Sequence, residues 1–249
     1  LARPGGRLVR WEAYATDATL RHLERDFGGK IETIDAAKIA RRANAPRRTL
    51  QFASDLAVID AHGRWPATRP KPRILLRIAG AMAFGTGEHA TTASCLRLLR
   101  RAAAGQEPGW TALDIGTGSG ILAIAAEKFG ATRVDAFDYD PRALPAARAN
   151  LHRNRCTRIT LTRRDLLKWR PTRRYPLVMA NVFSEILCAA APQIVATLKP
   201  EAYLILSGIL SSLEQETLAT FTARGLQLEA ANRRGKWVTL LLRNRPAHP

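Results

Sequence analysis

The chain has 249 residues, of which 46% are hydrophobic, so it is long enough for one large domain, or for one domain with a small appendage, around a real core. No apolar run approaches the roughly 20 residues of a membrane-spanning helix, and the first six residues lack the apolar region of a signal peptide, so we expect a cytoplasmic protein. The cysteines are three and far apart, which argues against a disulfide framework or a zinc site, and we expect them to be reduced and buried: Cys95, Cys156 and Cys188.

The net charge is the unusual bulk property, at +18 with an isoelectric point near 11.1. A chain this basic is suited to anionic partners, of which RNA and the ribosome surface are the obvious ones. The alternative, which we favour on composition alone, is that the arginines are solvated charges that reflect the coding bias of a genome. The basic stretch 152–174, whose only acidic residue is Asp165, keeps the first interpretation open.

The first third of the chain carries weak signals. Periodicity predicts strands at 7–15, 31–34, 50–59 and 74–78 and helices at 17–27 and 36–43. We divide the chain into a shortened N-terminal substrate-recognition region (1–50), a linker with strands (51–79) and the main domain (80–249).

A loop punctuated by glycines, residues 80–92, leads into a predicted helix at 93–101. Thr91 or Thr92 is a suitable N-cap, and we expect Thr92 to present its hydroxyl to a ligand. Such a loop can fold back over the site, and four of its residues are candidates for that closure: Phe84, Gly85, Thr86 and His89. We expect His89 to stabilise the loop, because no His or Cys lies at metal-ligand spacing from it, and we expect no metal.

A short apolar strand, 112–115, runs into the turn Gly116-x-Gly118-x-Gly120 and then a helix at 119–128. Glycines permit positive φ and close approach to a ligand, and Asp114 ends the strand with a carboxylate that suits a cationic or amino group. This spacing differs from the G-x-G-x-x-G that seats a pyrophosphate, so the turn does not require a phosphate.

A second apolar strand, 134–137, ends at Asp138, 22 residues after Gly116. An acidic side chain at this place accepts hydrogen bonds from both ribose hydroxyls of a nucleoside. A nucleoside with an amino acid and a positive charge satisfies all these features, and S-adenosyl-L-methionine is such a molecule. Asp140 and Pro141 read as the N-cap and first residue of the next helix.

Two further strands, 159–162 and 177–180, deliver Asp165 and Asn181 to the same edge. Asp165 is suited to accept from an adenine amino group or to pair with its neighbouring arginines. A helical stretch at 184–198, broken near Pro192, a strand at 203–207, a helix at 213–224 and strands at 226–230 and 237–242 follow. The order predicts an α/β fold, a doubly wound, Rossmann-like seven-stranded sheet whose last pair is antiparallel, with a small α+β appendage at the N-terminus.

Five motifs in order over residues 80–210 resemble the class I S-adenosylmethionine-dependent methyltransferases, and more narrowly the PrmA family, which methylates a ribosomal protein of the large subunit. They are the segments 83–92, 113–122, 138–141, 180–182 and 206–210. The resemblance implies cofactor contacts from Thr92, Gly116, Asp138 and Asn181. The residues add Asp114, Gly118 and Asp165 to this set, and we expect Asn181 to orient the amine that accepts the methyl group. Members of the family carry a complete ferredoxin-like N-terminal domain, of which the stretch before Phe84 supplies at best half.

Three other functions stay open. Nucleic-acid methylation fits the charge, but enzymes that methylate exocyclic base nitrogens place Asn/Asp-Pro-Pro-aromatic after the fourth strand, whereas this chain has Asn181-Val182-Phe183-Ser184. Methylation of a small molecule fits the shortened N-terminal region. The third is binding of the cofactor or RNA without turnover.

Overall fold

The computed structural model describes residues 49–79 and 87–245, all within the second of the two compact units of the chain, Pro46–Pro249. Its strands are β1 (Leu50–Ala53), β2 (Leu56–Asp60), β3 (Ile74–Ile78), β4 (Thr111–Ile115), β5 (Arg133–Asp138), β6 (Ile159–Arg163), β7 (Tyr175–Asn181), β8 (Leu198–Leu210), β9 (Leu226–Arg234) and β10 (Trp237–Asn244). Its α-helices are α1 (Ala90–Ala103), α2 (Ile121–Lys128), α3 (Ala143–Arg153), α4 (Ser184–Ala189), α5 (Ala191–Ala196) and α6 (Glu214–Thr222), the last preceded by a 3₁₀ turn at Ser211–Leu213.

Seven strands form the central sheet in the order β6-β5-β4-β7-β8-β10-β9. The first five are parallel, and β10 pairs antiparallel with both β8 and β9. The chain builds β4, β5 and β6 toward one edge and then returns to place β7 on the other side of β4. This reversal confirms the predicted doubly wound, Rossmann-like sheet and creates a topological switch point between β4 and β7.

Side chains of the central strands alternate between two apolar layers. In β7, Leu177 and Met179 belong to the layer beneath α1, α2 and α3, whereas Val178 and Ala180 belong to the layer beneath α4, α5 and α6. Because both faces are covered, these strands are nearly continuous apolar runs, as parallel strands are. The sheet therefore offers solvent its ends and edges, and the ends carry the candidate site.

A second sheet of three strands, β1-β2-β3, packs against the layer of α1 and α2. The prediction of one strand at 50–59 was wrong: the tight turn at Ser54 and Asp55 makes β1 and β2 an antiparallel hairpin. Alternating apolar residues do not by themselves distinguish one long strand from a hairpin with a two-residue turn. The strand predicted at 74–78 is β3, which runs parallel to β2.

Several element ends differ from the predictions for local reasons. The helix predicted at 93–101 begins at Ala90, and its N-cap is His89 rather than Thr91 or Thr92. The helix predicted from Pro141 begins at Ala143, because Asp140 accepts the N–H of Arg142 and so caps the preceding turn. The turn predicted at 199–201 is an irregularity inside β8, with Glu201 at φ 60°. The predicted break near Pro192 is confirmed, since α4 ends before it and α5 carries it in its first turn.

The cysteines are unpaired, with Cys95 buried and Cys156 and Cys188 half-buried rather than fully buried as expected. In the described part of the chain, no helix has the length and apolarity to cross a membrane. The elements predicted at 7–34 and 36–43 lie outside the described residues.

Candidate active site

The loops that leave β4 and β7 meet at the switch point. A Cβ added to Gly116 would overlap Cγ1 of Val182, and one added to Gly208 would overlap the backbone carbonyl of the same Val182. Gly116 has φ +69° and Gly208 has φ +82°, so glycine is required at both places by conformation and by space. Two glycines thus let the segment after Asn181 pass between the ends of β4 and β8.

Four N–H groups of the glycine-rich turn have acceptors within the turn or at the end of β5. The N–H groups of Gly116 and Thr117 both donate to the carbonyl of Phe137, at 2.9 and 3.0 Å, and that of Gly120 donates to the carbonyl of Thr117 at 2.8 Å. The N–H of Gly118 donates to Asp138 Oδ2 at 2.9 Å. A phosphate needs such N–H groups free, so these four do not form a pyrophosphate cradle, in agreement with the spacing of the glycines.

Asp138 lies at the end of β5 and is half-buried. Its Oδ2 accepts from Gly118 and its Oδ1 from the N–H of Asp140, both at 2.9 Å. Each carboxylate oxygen has a second lone pair, so both can still accept a hydrogen bond from a ligand hydroxyl. The carboxylate is therefore fixed in place by two backbone groups.

Asp114 is buried beneath this turn, with 1% of its surface exposed. Its Oδ2 accepts from the Thr117 hydroxyl at 2.6 Å and from the N–H of Ala123 at 3.1 Å, while Oδ1 has no partner in the described part of the chain. Burial raises the pKa of Asp114 to about 7, the two hydrogen bonds oppose that rise, and the charge of Asp138 adds to it. The Asp114 side chain therefore links the turn to α2 and has almost no contact with solvent.

A chain of hydrogen bonds joins the start of α1 to the end of β7. Asn181 Nδ2 donates to Thr91 Oγ1 at 3.4 Å, and Thr91 Oγ1 lies 2.7 Å from His89 Nδ1. Burial, with a smaller contribution from Lys236, lowers the pKa of His89, which favours the neutral ring that accepts at Nδ1. The His89 ring also packs edge-on against Trp237, with ring centroids 5.1 Å apart.

These contacts give His89 a structural role, as the N-cap of α1, and leave Asn181 Oδ1 as an acceptor without a partner among the described residues. Thr92 is fully buried, and its hydroxyl likewise has no partner in the part of the chain that is described. A buried, unpaired hydroxyl is costly, so a ligand or water there would satisfy it.

The structure brings together most of the predicted site residues, namely Gly116, Gly118, Asp114, Asp138, Thr92 and Asn181 at the carboxyl ends of β4, β5 and β7 and the start of α1. Asp165 follows β6, farther along the edge; its Oδ1 accepts the N–H of Leu167 at 3.0 Å, and its ion pair is with Lys168 rather than with Arg163 or Arg164. Phe84, Gly85 and Thr86 lie outside the described residues.

Asn150 was missed by the sequence reasoning. It is fully buried on α3, its Nδ2 donates to the carbonyl of Ser119 at 2.9 Å, and its Oδ1 accepts from the N–H of Ala79 at 2.9 Å. Asn154, one turn later, clamps the N–H and carbonyl of Arg77. The spacing of two asparagines four residues apart on an otherwise apolar helix face was the available signal.

Two large apolar side chains stand exposed beside the predicted cofactor residues. Tyr139 follows Asp138 and is 66% exposed, and Phe183 lies two residues after Asn181 and is 68% exposed. Exposed aromatic groups at the mouth of a crevice are typical of ligand contacts.

Comparison with known families shows to which family the chain belongs. The family model described as ribosomal protein L11 methyltransferase (PrmA) matches residues 15–245. This chain belongs to the PrmA family. The match spans all five motifs on which the resemblance rested, and it confirms that resemblance.

Among relatives with the name ribosomal protein L11 methyltransferase, the one from Pelobacter propionicus is 41% identical over 182 residues, which cover 72% of this chain and 59% of the relative. The one from Chloroflexus aurantiacus is 37% identical over 204 residues, covering 72% of this chain and 61% of the relative. This PrmA-family chain therefore spans about three fifths of the length of the curated relatives it matches.

Solved structures agree with the family. The crystal structure of a ribosomal protein L11 methylase from Lactobacillus delbrueckii subsp. bulgaricus has a TM-score of 0.72 at 29% identity and covers 80% of this PrmA-family chain and 100% of that chain. The N-methyltransferase NodS from Bradyrhizobium japonicum, solved with S-adenosyl-L-homocysteine, has a TM-score of 0.52 at 16% identity and covers 63% of this chain and 89% of that chain. The second likeness is one of fold.

Proposed function

We propose that this chain is an S-adenosyl-L-methionine-dependent N-methyltransferase that transfers methyl groups to amino nitrogens, a lysine side chain or an N-terminal amine, of a ribosomal protein of the large subunit. The observation that carries the proposal is the glycine-rich turn, whose four N–H groups are used within the protein while the Asp138 carboxylate lies at the crevice. Such a site suits a nucleoside with a cationic amino acid better than a pyrophosphate. Membership of the PrmA family supports the substrate class.

The donor set fits this cofactor. Asp138 offers both oxygens to ribose hydroxyls, and the unpaired Thr92 hydroxyl offers a buried polar partner for the methionine part. Asp138 provides negative charge that complements a sulfonium, Asp114 supports the turn from beneath, and Asp165 is retained as a partner for the adenine amino group. Gly116 and Gly118 let the backbone approach the ligand.

When bound, S-adenosyl-L-methionine supplies a methyl group that a nucleophile displaces in line from sulfur. The protein therefore mainly has to align two reactants, which is worth on the order of 7–11 kcal/mol. Thr91 holds the Asn181 amide through Nδ2, so that Asn181 Oδ1 accepts an N–H of the incoming amine and aims its lone pair. A lysine amine, with a free pKa of about 10.4, reacts in its neutral form, and burial in the crevice favours that form.

The acceptor is selected by parts of the chain beyond this crevice. We assign recognition of the ribosomal protein to the N-terminal region 1–50 and to the loop residues Phe84, Gly85 and Thr86, which His89 supports as the N-cap of α1, in the division 1–50, 51–79 and 80–249. The net charge of +18 supports contact with RNA or the ribosome surface during the same task.

RNA methylation is the competing function, because Phe183 is an exposed aromatic group next to Asn181 on which a base could stack. Against it, Val182 stands where the base-methylating enzymes carry proline. Small-molecule methylation and cofactor binding without turnover are the remaining alternatives.

One experiment separates these functions. The protein is incubated with S-adenosyl-L-methionine labelled in the methyl group and a total cell extract, and the label is traced into protein, RNA and small solutes. We expect label on amino nitrogens of one large-subunit ribosomal protein, lost in Asn181→Ala. Label confined to RNA or to small solutes would replace the proposal, and no label would favour binding without turnover.

A further inference from the structure

Eight of the 18 net positive charges of this protein lie in one segment of the main domain. Residues 152–174 contain nine of the 39 Lys and Arg residues and one of the 21 Asp and Glu residues. By contrast, residues 80–151 contain seven cations and seven acids. A coding bias toward arginine predicts no such clustering, so the position of the cations, and not their number, calls for an explanation.

The segment surrounds one edge of the central sheet. It contains the end of α3, the whole of β6 and the connection to β7, and β6 is an edge strand that pairs with β5. Eight of the nine cations are exposed. Six of these eight have no carboxylate within 4.0 Å among the described residues, and we call these six the basic edge: Arg155, Arg158, Arg163, Arg164, Arg170 and Arg174.

Some exposed arginines elsewhere in the described chain have a close carboxylate, whereas others, such as Arg69 and Arg101, have none within 4.0 Å among the described residues. Arg100 lies 2.6 Å from Asp55, and Arg142 lies 3.0 Å from Asp140. In the basic segment the two ion pairs are long, at 3.9 Å for Lys168 with Asp165 and 4.0 Å for Arg173 with Asp135. The nearby Glu127 carboxylate is used by the backbone N–H groups of residues 157 and 158.

The chemistry of the edge fits a polyanion of phosphates. A guanidinium donates two parallel hydrogen bonds to a phosphate, and each neutralised phosphate releases counterions. Arg158 and Arg163 flank β6 and are about 17 Å apart along it, at about 3.3 Å per residue. At the carboxyl end, Arg163 donates to the Tyr139 carbonyl, and its guanidinium lies 6.0 Å from the exposed Tyr139 ring, a surface on which a base can stack.

The arrangement favours RNA over a membrane. Arg155 follows α3, which packs on one face of the sheet, whereas Arg170 follows Trp169, which packs on Phe137 in the layer of the other face. The cations therefore lie on both sides of a sheet edge, where a flat bilayer cannot reach all of them. A folded RNA can enclose such an edge with its phosphate backbone.

We infer that the basic edge is a docking surface for the phosphate backbone of structured RNA, and that it borders the methyl-transfer crevice at Tyr139 without including the residues that hold the cofactor. The inference rests on the proposed function for its biological sense, because the acceptor protein belongs to an RNA-rich particle. The RNA is here a partner that holds the enzyme, and the acceptor nitrogen remains on protein.

The test compares two variants that lose the same number of charges. One is Arg155→Gln/Arg158→Gln/Arg164→Gln/Arg170→Gln, and the matched control takes four exposed cations from other surfaces, namely Arg69→Gln/Arg101→Gln/Lys199→Gln/Arg224→Gln. Binding of a fluorescein-labelled synthetic RNA hairpin is followed by fluorescence anisotropy between about 50 and about 300 mM salt. Thermal melting of each variant checks that it folds.

We expect the basic-edge variant to bind the hairpin about tenfold or more weakly and to lower the slope of log K against log salt by about 3, while the control stays within about twofold of the unmodified protein. Equal weakening by both variants, or by neither, would overturn the inference, as would weaker pelleting with anionic phospholipid vesicles while RNA binding is unchanged. Methyl transfer to the free ribosomal protein is measured in parallel and is expected to be unchanged. A protein that binds RNA through this edge but transfers no methyl group would refute the proposed function alone.

Discussion

Asn150 joins the glycine-rich turn to the segment that precedes it in the chain. Its Nδ2 donates to the Ser119 carbonyl at 2.9 Å, and its Oδ1 accepts the N–H of Ala79, the last described residue before the segment 80–86. A single buried amide therefore fixes the distance between the turn and the end of β3.

Replacing Asn150 with Asp tests this link. The carboxylate keeps the acceptor for Ala79 but places an oxygen against the Ser119 carbonyl, so we expect the unfolding free energy to fall by about 2–4 kcal/mol and S-adenosyl-L-methionine to bind about tenfold or more weakly. Denaturant unfolding and calorimetric titration measure the two effects. The control is Asn154→Asp, which loosens β3 without touching the turn; if it weakens cofactor binding as much as Asn150→Asp, the link has no special role.

A comparison of Gly116 with Gly235 distinguishes the cost of a steric overlap from the cost of the left-handed backbone conformation. Both have positive φ, at +69° and +58°, but an added Cβ overlaps Val182 at Gly116 and meets nothing within 4 Å at Gly235. Gly235→Ala should cost about 1–2 kcal/mol from the left-handed conformation alone, whereas Gly116→Ala should cost several kcal/mol or displace Val182 and abolish cofactor binding. Similar melting temperatures and cofactor affinities for the two variants would show that the close approach to Val182 is unimportant.

We expect the Thr92 hydroxyl to destabilise the free protein and to strengthen cofactor binding. Its hydroxyl is buried without a partner in the described residues, so Thr92→Val should raise the unfolding free energy of the free protein by about 1 kcal/mol and weaken S-adenosyl-L-methionine binding several-fold. Thr91→Val is the control, because its hydroxyl lies between His89 and Asn181 and its loss should be destabilising. A Thr92→Val protein that is both less stable and unchanged in affinity contradicts the assignment.

Asp114 should make the stability depend on pH. Burial raises its pKa in the folded protein to about 7 from a usual value of 3.8, so the folded state favours the protonated acid. The stability tied to that proton is present below about pH 4 and is lost as the pH rises toward 7, by up to about 4 kcal/mol. The unfolding free energy of the unmodified protein minus that of Asp114→Asn should fall over this window. A flat difference from pH 4 to 8 would show that Asp114 ionises normally.

The sequence predicted the sheet and the strand-end residues because short apolar runs, glycines and carboxylates are local signals. Asp138 and Asn181 are the last residues of β5 and β7, and parallel pairing brings the ends of these strands to one edge of the sheet. The features that the sequence did not predict depend on contacts between segments that are far apart in the chain. Asn150 meets Ser119 and Ala79 only once α3 packs, and Asp114 became a buried tie to Thr117 because α2 covers it. The cap of α1 moved to His89 because its ring is held by Trp237, which lies nearly 150 residues later.

The proposed function depends most on the crevice holding an adenosyl sulfonium by its ribose at Asp138. Calorimetric titration of S-adenosyl-L-methionine into the unmodified protein, Asp138→Ala and the neighbouring Asp140→Ala measures this directly. We predict that Asp140→Ala keeps its affinity within a few-fold and that Asp138→Ala loses about a hundredfold, since two charge-assisted hydrogen bonds are removed. Undiminished affinity in Asp138→Ala would contradict the account.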